Sequence, residues 1–350
     1  MTRRTKFKFS YLLAAGLFAG LIAGVAGEAY AQQKVLRMAN WLPPVHHLSK
    51  TIPAWSKMIE QASGGTLAIE LMKAPLAKPP GQYNLVKNGI ADLAYSVVGF
   101  TPKRFHVFGG IEMPFMVANA ESASAAHWDW YARSGFKDKE FHDARLVAVF
   151  TPAPHLYHSR KPLKSLADFK GLKVRAGGIG IAILKKLGVA PVFLPPPATT
   201  EAMHRGTIDA SQFPWEGLLG FRLTKISGHH LVIPHGLYTS AFWVAMSNKT
   251  WNGLTAVQKK AMNTAGGLAG SRFIGSRWDA MENIGKQAAT KNGNKIYTLS
   301  ASDTAKLKQA TAFVEQNWIK KVSASGADGK ALLTDLRATV KKYEKLVMSK

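Results

Sequence analysis

Arg175 stands where an arginine could bind an anion. It ends a predicted strand, Leu172 to Arg175, and the turn Gly177-Gly178-Ile179-Gly180 and a helical pattern follow it. A guanidinium there can present a planar fork of N–H donors to a carboxylate, close to helix N–H groups. The alternative is an arginine that is simply solvated at the end of a strand.

Aromatic and histidine side chains in similar positions could form the apolar part of a pocket. Phe213 and Trp215 flank Pro214 at the end of a strand pattern, where open α/β proteins bind ligands, and their rings could stack on an apolar or aromatic ligand. Core packing is the alternative for each ring. Further candidates in strand-end or hinge segments are Trp41, Tyr95, His235 and Trp243.

The sequence lacks the common motifs of catalysis and metal binding. Gly178-x-Gly180 has neither the third glycine nor the downstream acid of a dinucleotide site, and no G-x-S-x-G elbow occurs. His46-His47 and His229-His230 lack the i,i+4 spacing or a neighbouring Glu of a zinc site. With no cysteine there is neither a thiolate nucleophile nor a disulfide. We therefore expect no enzymatic activity, no cofactor and no metal ion.

The elements that would position these residues alternate between helix and strand. Apolar residues at helical spacing predict a helix from Thr51 to Ser63, ended by Gly64-Gly65, and alternation predicts a strand over 67–71. A short helix over 82–87 and a buried strand over 92–98 follow. This order is typical of an α/β fold.

The second half repeats this alternation of helix and strand patterns. It predicts a helical turn over 165–169, a strand over 172–175, a helix ending at Leu187 and a strand over 189–194. Asn88-Gly89-Ile90-Ala91-Asp92 and Arg205-Gly206-Thr207-Ile208-Asp209 each stand between a short helix and a strand. Two lobes with the same fold would produce this sequence similarity.

Helical patterns dominate from Ala256 to the end, and we expect these helices to brace both lobes. Their predicted packing positions are Leu307, Phe313, Trp318, Leu332, Leu336 and Leu346.

The first residues predict export. Four basic residues precede an uncharged apolar run from Tyr11 to Gly27, and Ala29-Tyr30-Ala31 then supplies a cleavage site. We interpret residues 1–31 as a signal peptide cleaved after Ala31, by either the Sec or the twin-arginine route. No later stretch is apolar enough to span a membrane, so we expect a soluble mature protein.

The chain is strongly basic, with a formal charge of +25 that becomes +22 without residues 1–31. The basic residues are dispersed and no nucleic-acid-binding motif accompanies them. This charge favours anionic solutes and an anionic membrane surface over nucleic acid.

A series of motifs in a fixed order covers essentially the whole mature chain and resembles one family. The motifs are Asn40-Trp41-Leu42-Pro43-Pro44 with His47, Gly64-Gly65-x-Leu67, Gly89-Ile90-x-Asp92, Met113-Pro114-Phe115, Lys161-Pro162-Leu163-Lys164-Ser165, Asp168 to Arg175, Leu187-Gly188-Val189-x-Pro191-Val192 and Gly206-Thr207-Ile208-Asp209. In combination they resemble the DctP-type solute-binding proteins of tripartite ATP-independent periplasmic (TRAP) transporters.

The resemblance implies a periplasmic-binding-protein-like fold in which two α/β lobes, joined by a hinge, close over a ligand, with a long helix running across both. It implies a lobe I over 32–153, completed by about 242–280, and a lobe II over 154–241, completed by about 281–350. It also implies that Arg175 pairs with the carboxylate of a solute, which then passes to integral-membrane TRAP permease subunits.

Two departures from the family pattern bear on the ligand. Many members carry a second arginine near the position of Pro154-His155, so this chain has one fixed charge, and His155 could donate a compensating hydrogen bond. A metal-using branch has an acid where this chain has Gln212, which argues against a metal ion. Together with Phe213 and Trp215, these departures favour a monocarboxylate with an apolar or aromatic body. A binding protein of an ATP-driven transporter and a periplasmic polyanion-binding or sensor protein remain as alternatives.

Overall fold

A computed structural model describes residues 32–349 of the chain. The predicted signal peptide lies outside the described residues. Within them the chain forms two β-sheets flanked by helices, and no helix among them is long and apolar enough to cross a membrane.

The first sheet, which we call sheet A, has five strands in the order β2-β1-β3-β10-β4. Its strands are β1 Lys34–Met38, β2 Leu67–Leu71, β3 Leu93–Val97, β4 Arg145–Phe150 and β10 Phe242–Met246. β1 pairs in parallel with β2 and β3, whereas β10 inserts antiparallel between β3 and β4. All five residues of β10 are buried, as expected for a central strand covered on both faces.

The second sheet, sheet B, has six strands in the order β11-β9-β5-β8-β6-β7. Its strands are β5 Leu156–Ser159, β6 Lys173–Ala176, β7 Ala190–Phe193, β8 Ala210–Phe213, β9 His229–Val232 and β11 Lys295–Thr298. β6 pairs in parallel with β7 and β8, so the carboxyl ends of β6 and β8 lie side by side. That edge carries Arg175 and Phe213.

Twelve α-helices are present among the described residues. They are α1 Leu48–Ala62, α2 Gln82–Lys87, α3 Ala120–Arg133, α4 Lys137–Glu140, α5 Ile179–Lys186, α6 Thr199–His204, α7 Gly217–Gly220, α8 Asn248–Asn252, α9 Ala256–Ala265, α10 Gly267–Lys291, α11 Ala301–Ala324 and α12 Gly329–Met348. Each sheet with its own helices forms one lobe, which gives the two-lobed α/β architecture that the sequence predicts. The exact division near residues 153 and 241 stays a prediction.

The similar sequence segments 88–92 and 205–209 of the two lobes also share a local structure. The Asp92 carboxylate accepts a hydrogen bond from the backbone N–H of Arg37 in β1 (2.9 Å), and the Asp92 N–H donates to the Arg37 carbonyl (3.1 Å). Asp209 makes the same pair of bonds with Lys173 in β6, at 3.0 and 2.8 Å. In each lobe this aspartate fixes the entry of a strand against its parallel neighbour.

Helix α10 connects the two lobes. At 1.5 Å per residue, its 25 residues span about 37 Å. It packs against α1, α3 and β4 on one side and against α7 and β11 on the other. The two helices that follow also contact both lobes, because α11 packs on α5 and α12 on α3. The C-terminal helices therefore brace both lobes, as expected.

Candidate ligand-binding site

A partly open cavity lies between the two lobes, where the backbones of Gly99 and Gly178 meet. A Cβ atom on Gly99 would lie 2.8 Å from the Cα of Gly178, so only glycine permits this approach. The cavity offers about 60 Å³ to the centres of water-sized molecules, whereas one water needs about 10–15 Å³ on the same measure. The site therefore has room for a compact ligand.

Residues of both lobes and of α10 form the wall. They are Trp41, Leu42, His46, Val97, Gly99, Phe100, Glu112, Pro152 and Phe242 beside sheet A, then His155, Arg175, Gly177, Gly178, Pro196, Phe213, Pro214, Glu216, Phe221, Tyr238 and Ser240 beside sheet B, and Trp278 of α10.

Arg175 reaches the cavity from the end of β6 and is only 4% exposed. Its Nε donates to the carbonyl of Leu194 (3.1 Å) and its Nη1 to that of Gln212 (3.2 Å). The guanidinium carbon lies 4.3 Å from the centre of the Phe213 ring. Among the described residues no carboxylate forms an ion pair with it. Burial lowers the pKa of Arg175 to about 10, which reflects the cost of this uncompensated cation.

His155 lies beside Arg175 at the same end of the cavity. Its Nε2 is 3.3 Å from Oγ of Ser240, its ring centre lies 4.6 Å from that of Tyr238, and its Nδ1 is buried without a hydrogen-bond partner. Burial, and then the charge of Arg175, lower the pKa of His155 to about 3. His155 is therefore neutral at physiological pH and can hydrogen-bond a ligand without adding a second positive charge.

Aromatic rings form the apolar walls. Trp41 stacks on Phe242 with ring centres 6.5 Å apart and meets Phe100 edge-on at 5.9 Å. Phe213 packs on Phe221 at 4.9 Å. Such walls suit a flat, apolar ligand body.

The structure thus brings together four of the eight predicted site residues, namely Arg175, Phe213, Trp41 and His155. The other four lie elsewhere. Tyr95 is buried behind Trp41, accepting the Trp41 indole N–H at its carbonyl (3.0 Å). Trp243 packs in the core beside Tyr83, with ring centres 5.3 Å apart.

Trp215 and His235 also lie away from the cavity wall. Trp215 turns behind sheet B to contact His158 and His230, with ring centres 5.6 and 5.0 Å apart. His235 is exposed in a turn at φ 66°.

Gln212 belongs to the layer beneath the cavity. Its side-chain amide donates to the hydroxyl of Tyr157 (2.8 Å), and its Oε1 accepts from the hydroxyl of Tyr238 (2.9 Å). Gln212 therefore holds Tyr238 in place, and its carbonyl holds Arg175.

His46, His47 and Glu216 form a buried cluster that the sequence spacing conceals. The sequence shows no Glu near His46-His47, but folding brings Glu216 from the other lobe so that its Oε1 lies 3.1 Å from Nε2 of His46 and 3.8 Å from Nε2 of His47. Trp278 covers both histidine rings edge-on, at 5.5 and 4.4 Å. Nothing in the sequence around Glu216 or Trp278 indicated that these residues contact His46 and His47.

These three residues are of metal-ligating types, and one potential ligand atom from each lies within 4.8 Å of the others. Their orientation does not suit a shared ion. The two imidazole rings stack with an interplanar angle of 26°, whereas an ion bound by both would have to lie in both ring planes. The Leu48 N–H also donates to Nδ1 of His46 (3.3 Å), which leaves the proton of the neutral ring on Nε2. Nε2, the His46 atom that faces Glu216, therefore offers no lone pair to a metal ion.

Two lobes, a cavity between them and a few polar groups set in aromatic walls define a solute-binding protein of the periplasmic type. Residues 38–321 match the family model described as DctP, bacterial extracellular solute-binding protein, family 7. The chain belongs to this family: it is a TRAP solute-binding protein of the DctP type and not an enzyme.

Solved structures of TRAP solute-binding proteins share this fold. One from Rhodoferax ferrireducens, in complex with copurified benzoate, is 30% identical, with a TM-score of 0.84 over 90% of this chain and 100% of that chain. One from a marine metagenome, specific for aromatic acid ligands and co-crystallised with 3-hydroxybenzoate, is 31% identical, with a TM-score of 0.83 over 89% and 99%. One from Bordetella bronchiseptica, with bound mandelate, is 27% identical, with a TM-score of 0.84 over 88% and 99%.

The family assignment settles the general function. DctP-family proteins are periplasmic, and this chain captures a small organic carboxylate for a TRAP-type secondary transporter.

Proposed function

We propose that the chain binds an aromatic monocarboxylate and that Arg175 pairs with its carboxylate. The observation that carries this proposal is a buried guanidinium that faces the cavity without a carboxylate partner. A buried charge without a partner is costly, and a planar carboxylate can offer the guanidinium bidentate hydrogen bonds. The ligand would therefore supply the missing anion.

The charges of the wall favour one carboxylate over two. Arg175 is the one Lys or Arg among the described residues that line the cavity, and His155 is neutral. Two buried acids, Glu112 and Glu216, share the wall. A second ligand carboxylate would be buried without a cation, at a cost of several kcal/mol.

The aromatic walls favour a flat body. A sugar acid carries several hydroxyl groups that would meet Trp41, Phe100, Phe213 and Phe242 instead of polar partners. An aromatic ring instead gains about 0.5–1.5 kcal/mol for each well-placed ring pair, beyond area burial. The aromatic acids bound by the similar proteins support the same choice.

Calorimetric titration tests the proposal. Benzoate should bind more tightly than succinate or a sialic-type sugar acid. Arg175→Ala should reduce benzoate affinity more than a hundredfold, because the carboxylate would be left unpaired, and Arg175→Lys should leave a weak remnant. Arg205→Ala is the matched control, since Arg205 is 74% exposed in the same lobe. Tighter binding of succinate or the sugar acid, or an Arg175→Ala affinity within about twofold of wild type, would contradict the proposal.

We further propose that the chain is exported with cleavage after Ala31 and delivers its ligand to the integral-membrane permease subunits. The basic n-region, apolar run and small-residue triplet support the cleavage point. Mass spectrometry of the intact protein purified from the periplasm determines the cleavage point. A mass that still includes residues before Gln32 would contradict cleavage after Ala31.

A further inference from the structure

The cavity wall contains a second polar group whose hydrogen-bonding capacity is not satisfied. Glu216 is 1% exposed and lines the cavity beside His46. Although Nε2 of His46 lies 3.1 Å away, Oε1 of Glu216 has no hydrogen bond of normal geometry. A buried carboxyl oxygen without a partner is unusual in a folded protein. A ligand group that donates a hydrogen bond would satisfy it.

An aromatic wall separates this group from the carboxylate end of the cavity. The Arg175 guanidinium lies over Phe213, the Phe213 ring packs on Phe221, and the Phe221 ring lies 5.6 Å from that of His46. His46 in turn contacts Glu216. A ligand whose carboxylate is bound at Arg175 would lay its apolar body along Phe213 and Phe221. Its opposite end would point toward His46 and Glu216.

The charge state of the pair determines which ligand group suits it. Burial raises the pKa of Glu216 well above its usual range, and burial together with His47 lowers that of His46 well below its own. Burial therefore disfavours the charged form of both side chains. A neutral hydroxyl, which both donates and accepts a hydrogen bond, matches such a pair, whereas a second carboxylate or an ammonium group would bring an uncompensated charge.

We infer that Glu216 and His46 form a hydroxyl-recognising subsite and that the preferred ligands are aromatic acids with a ring hydroxyl. This inference rests on the proposed function, because the carboxylate must first be bound at Arg175. His46 precedes α1 in the sheet A lobe, and Glu216 follows β8 in the sheet B lobe. A hydroxyl bound by both residues connects the two lobes and favours their closed arrangement.

Titration of benzoate and of 2-, 3- and 4-hydroxybenzoate tests the inference on protein dialysed against EDTA, so that no metal ion contributes. At least one of the 3- and 4-hydroxy acids should bind about tenfold more tightly than benzoate. Glu216→Leu should abolish this preference, so that the 3- and 4-hydroxy acids bind this variant no more tightly than benzoate binds it. His46→Gln should reduce the preference only in part. Ser227→Ala in the same lobe, away from the cavity, should preserve it.

The benzoate titrations separate the two proposals. If wild type binds benzoate but prefers no hydroxybenzoate, or if the preference survives in Glu216→Leu, the subsite is wrong and the proposed function stands. If wild type binds none of these acids, both are wrong. Should Glu216→Leu fail to fold, Glu216→Gln replaces it, and a changed order among the hydroxybenzoates is then the expected result. An unchanged order would overturn the inference.

Discussion

Gly180 shows how closely the turn after β6 fits the layer beneath the cavity. A Cβ atom at this position would clash with Oε1 of Gln212 and with the hydroxyl of Tyr238, the two groups that hydrogen-bond each other at 2.9 Å. Gly180 has no positive φ, so this steric contact and not the backbone conformation requires glycine.

Gly180→Ala should therefore lower the free energy of unfolding by about 1–3 kcal/mol, as overpacking in a well-packed core does, and should weaken ligand binding through Tyr238. A Gly-to-Ala substitution in a helix otherwise stabilises a protein by up to about 1 kcal/mol. A lower free energy of unfolding in Gly180→Ala would therefore identify the steric clash as its cause. Urea unfolding measures the change. Gly228→Ala is the control, because no heavy atom lies within 4 Å of a Cβ there, and it should stay within about 0.5 kcal/mol of wild type. Equal stability of the two variants would refute this account.

Sequence patterns can indicate candidate residues better than they can place them. The strand-end position of Arg175 and Phe213 predicted an edge of sheet B at which both now line one cavity. The same pattern cannot decide on which side of the sheet a following ring lies, and Trp215 turns the other way to His158 and His230. Glu216 and Trp278 meet His46 only because three distant segments converge. A pattern of local spacing carries no signal for such a contact.

At the scale of elements, α10 holds the two lobes with two acids one turn apart. Asp279 accepts hydrogen bonds from the N–H groups of Ala120 (2.7 Å) and Glu121 (2.8 Å) at the start of α3. Glu282 accepts from those of Trp215 and Glu216, both at 2.9 Å. One helix thus caps a backbone segment of each lobe, and Glu282 fixes the backbone from which Glu216 reaches the cavity.

Glu282→Ala should destabilise the protein by about 1–3 kcal/mol or more, because backbone N–H groups that the fold buries would lose their acceptor. It should also reduce the preference for hydroxylated aromatic acids, since Glu216 would no longer be held in place. Urea unfolding and the benzoate and hydroxybenzoate titrations measure the two effects. The neighbouring Asn283 is exposed, and Asn283→Ala should change neither. An unaltered free energy of unfolding in Glu282→Ala would show that the hydrogen bonds of Glu282 to the backbone do not contribute to stability.

Local patterns place some element boundaries correctly and miss others. The predicted helix over 82–87 and strand over 67–71 have the observed bounds. The helix predicted from Thr51 begins at Leu48, because the buried stripe of Ile52, Trp55 and Ile59 extends back to that residue. β11 was not predicted, since this edge strand is mostly exposed and has no alternation of burial.

At the scale of the whole molecule, burial shifts the pKa values of many titratable groups toward the neutral form. Burial lowers the pKa of six histidines, His46, His47, His127, His155, His158 and His230. It raises the pKa of five carboxyl groups: Glu112 and Glu282 to about 7, Glu216 well above its usual value, and also Asp279 and Glu344. Stability must therefore depend on pH through both sets.

The two sets act in opposite directions. Neutral buried histidines stabilise the fold fully above the ordinary histidine pKa of about 6.5, and this stabilisation is lost as the pH falls toward their folded values. The buried glutamates stabilise it fully below about 4.5 and lose this contribution as the pH rises through their raised values. Between pH 6.5 and 4.5 six histidines oppose five carboxyl groups, of which only Glu112, Glu216 and Glu282 have strongly raised pKa values, so the net effect of acid is to destabilise.

We predict that the free energy of unfolding falls from pH 6.5 to 5.5 and falls more steeply below 4.5, where the glutamates no longer offset the histidines. Each histidine that is neutral only in the folded state contributes about 1.4 kcal/mol per pH unit, so the excess of six histidines over the three strongly shifted glutamates gives at most roughly 4 kcal/mol per unit. Urea unfolding at several pH values gives the slope. His127→Gln should reduce it by about one histidine's share, because His127 is fully buried against Phe108. The exposed His204 is the control, and a His127→Gln slope equal to that of His204→Gln would disprove this origin of the pH dependence.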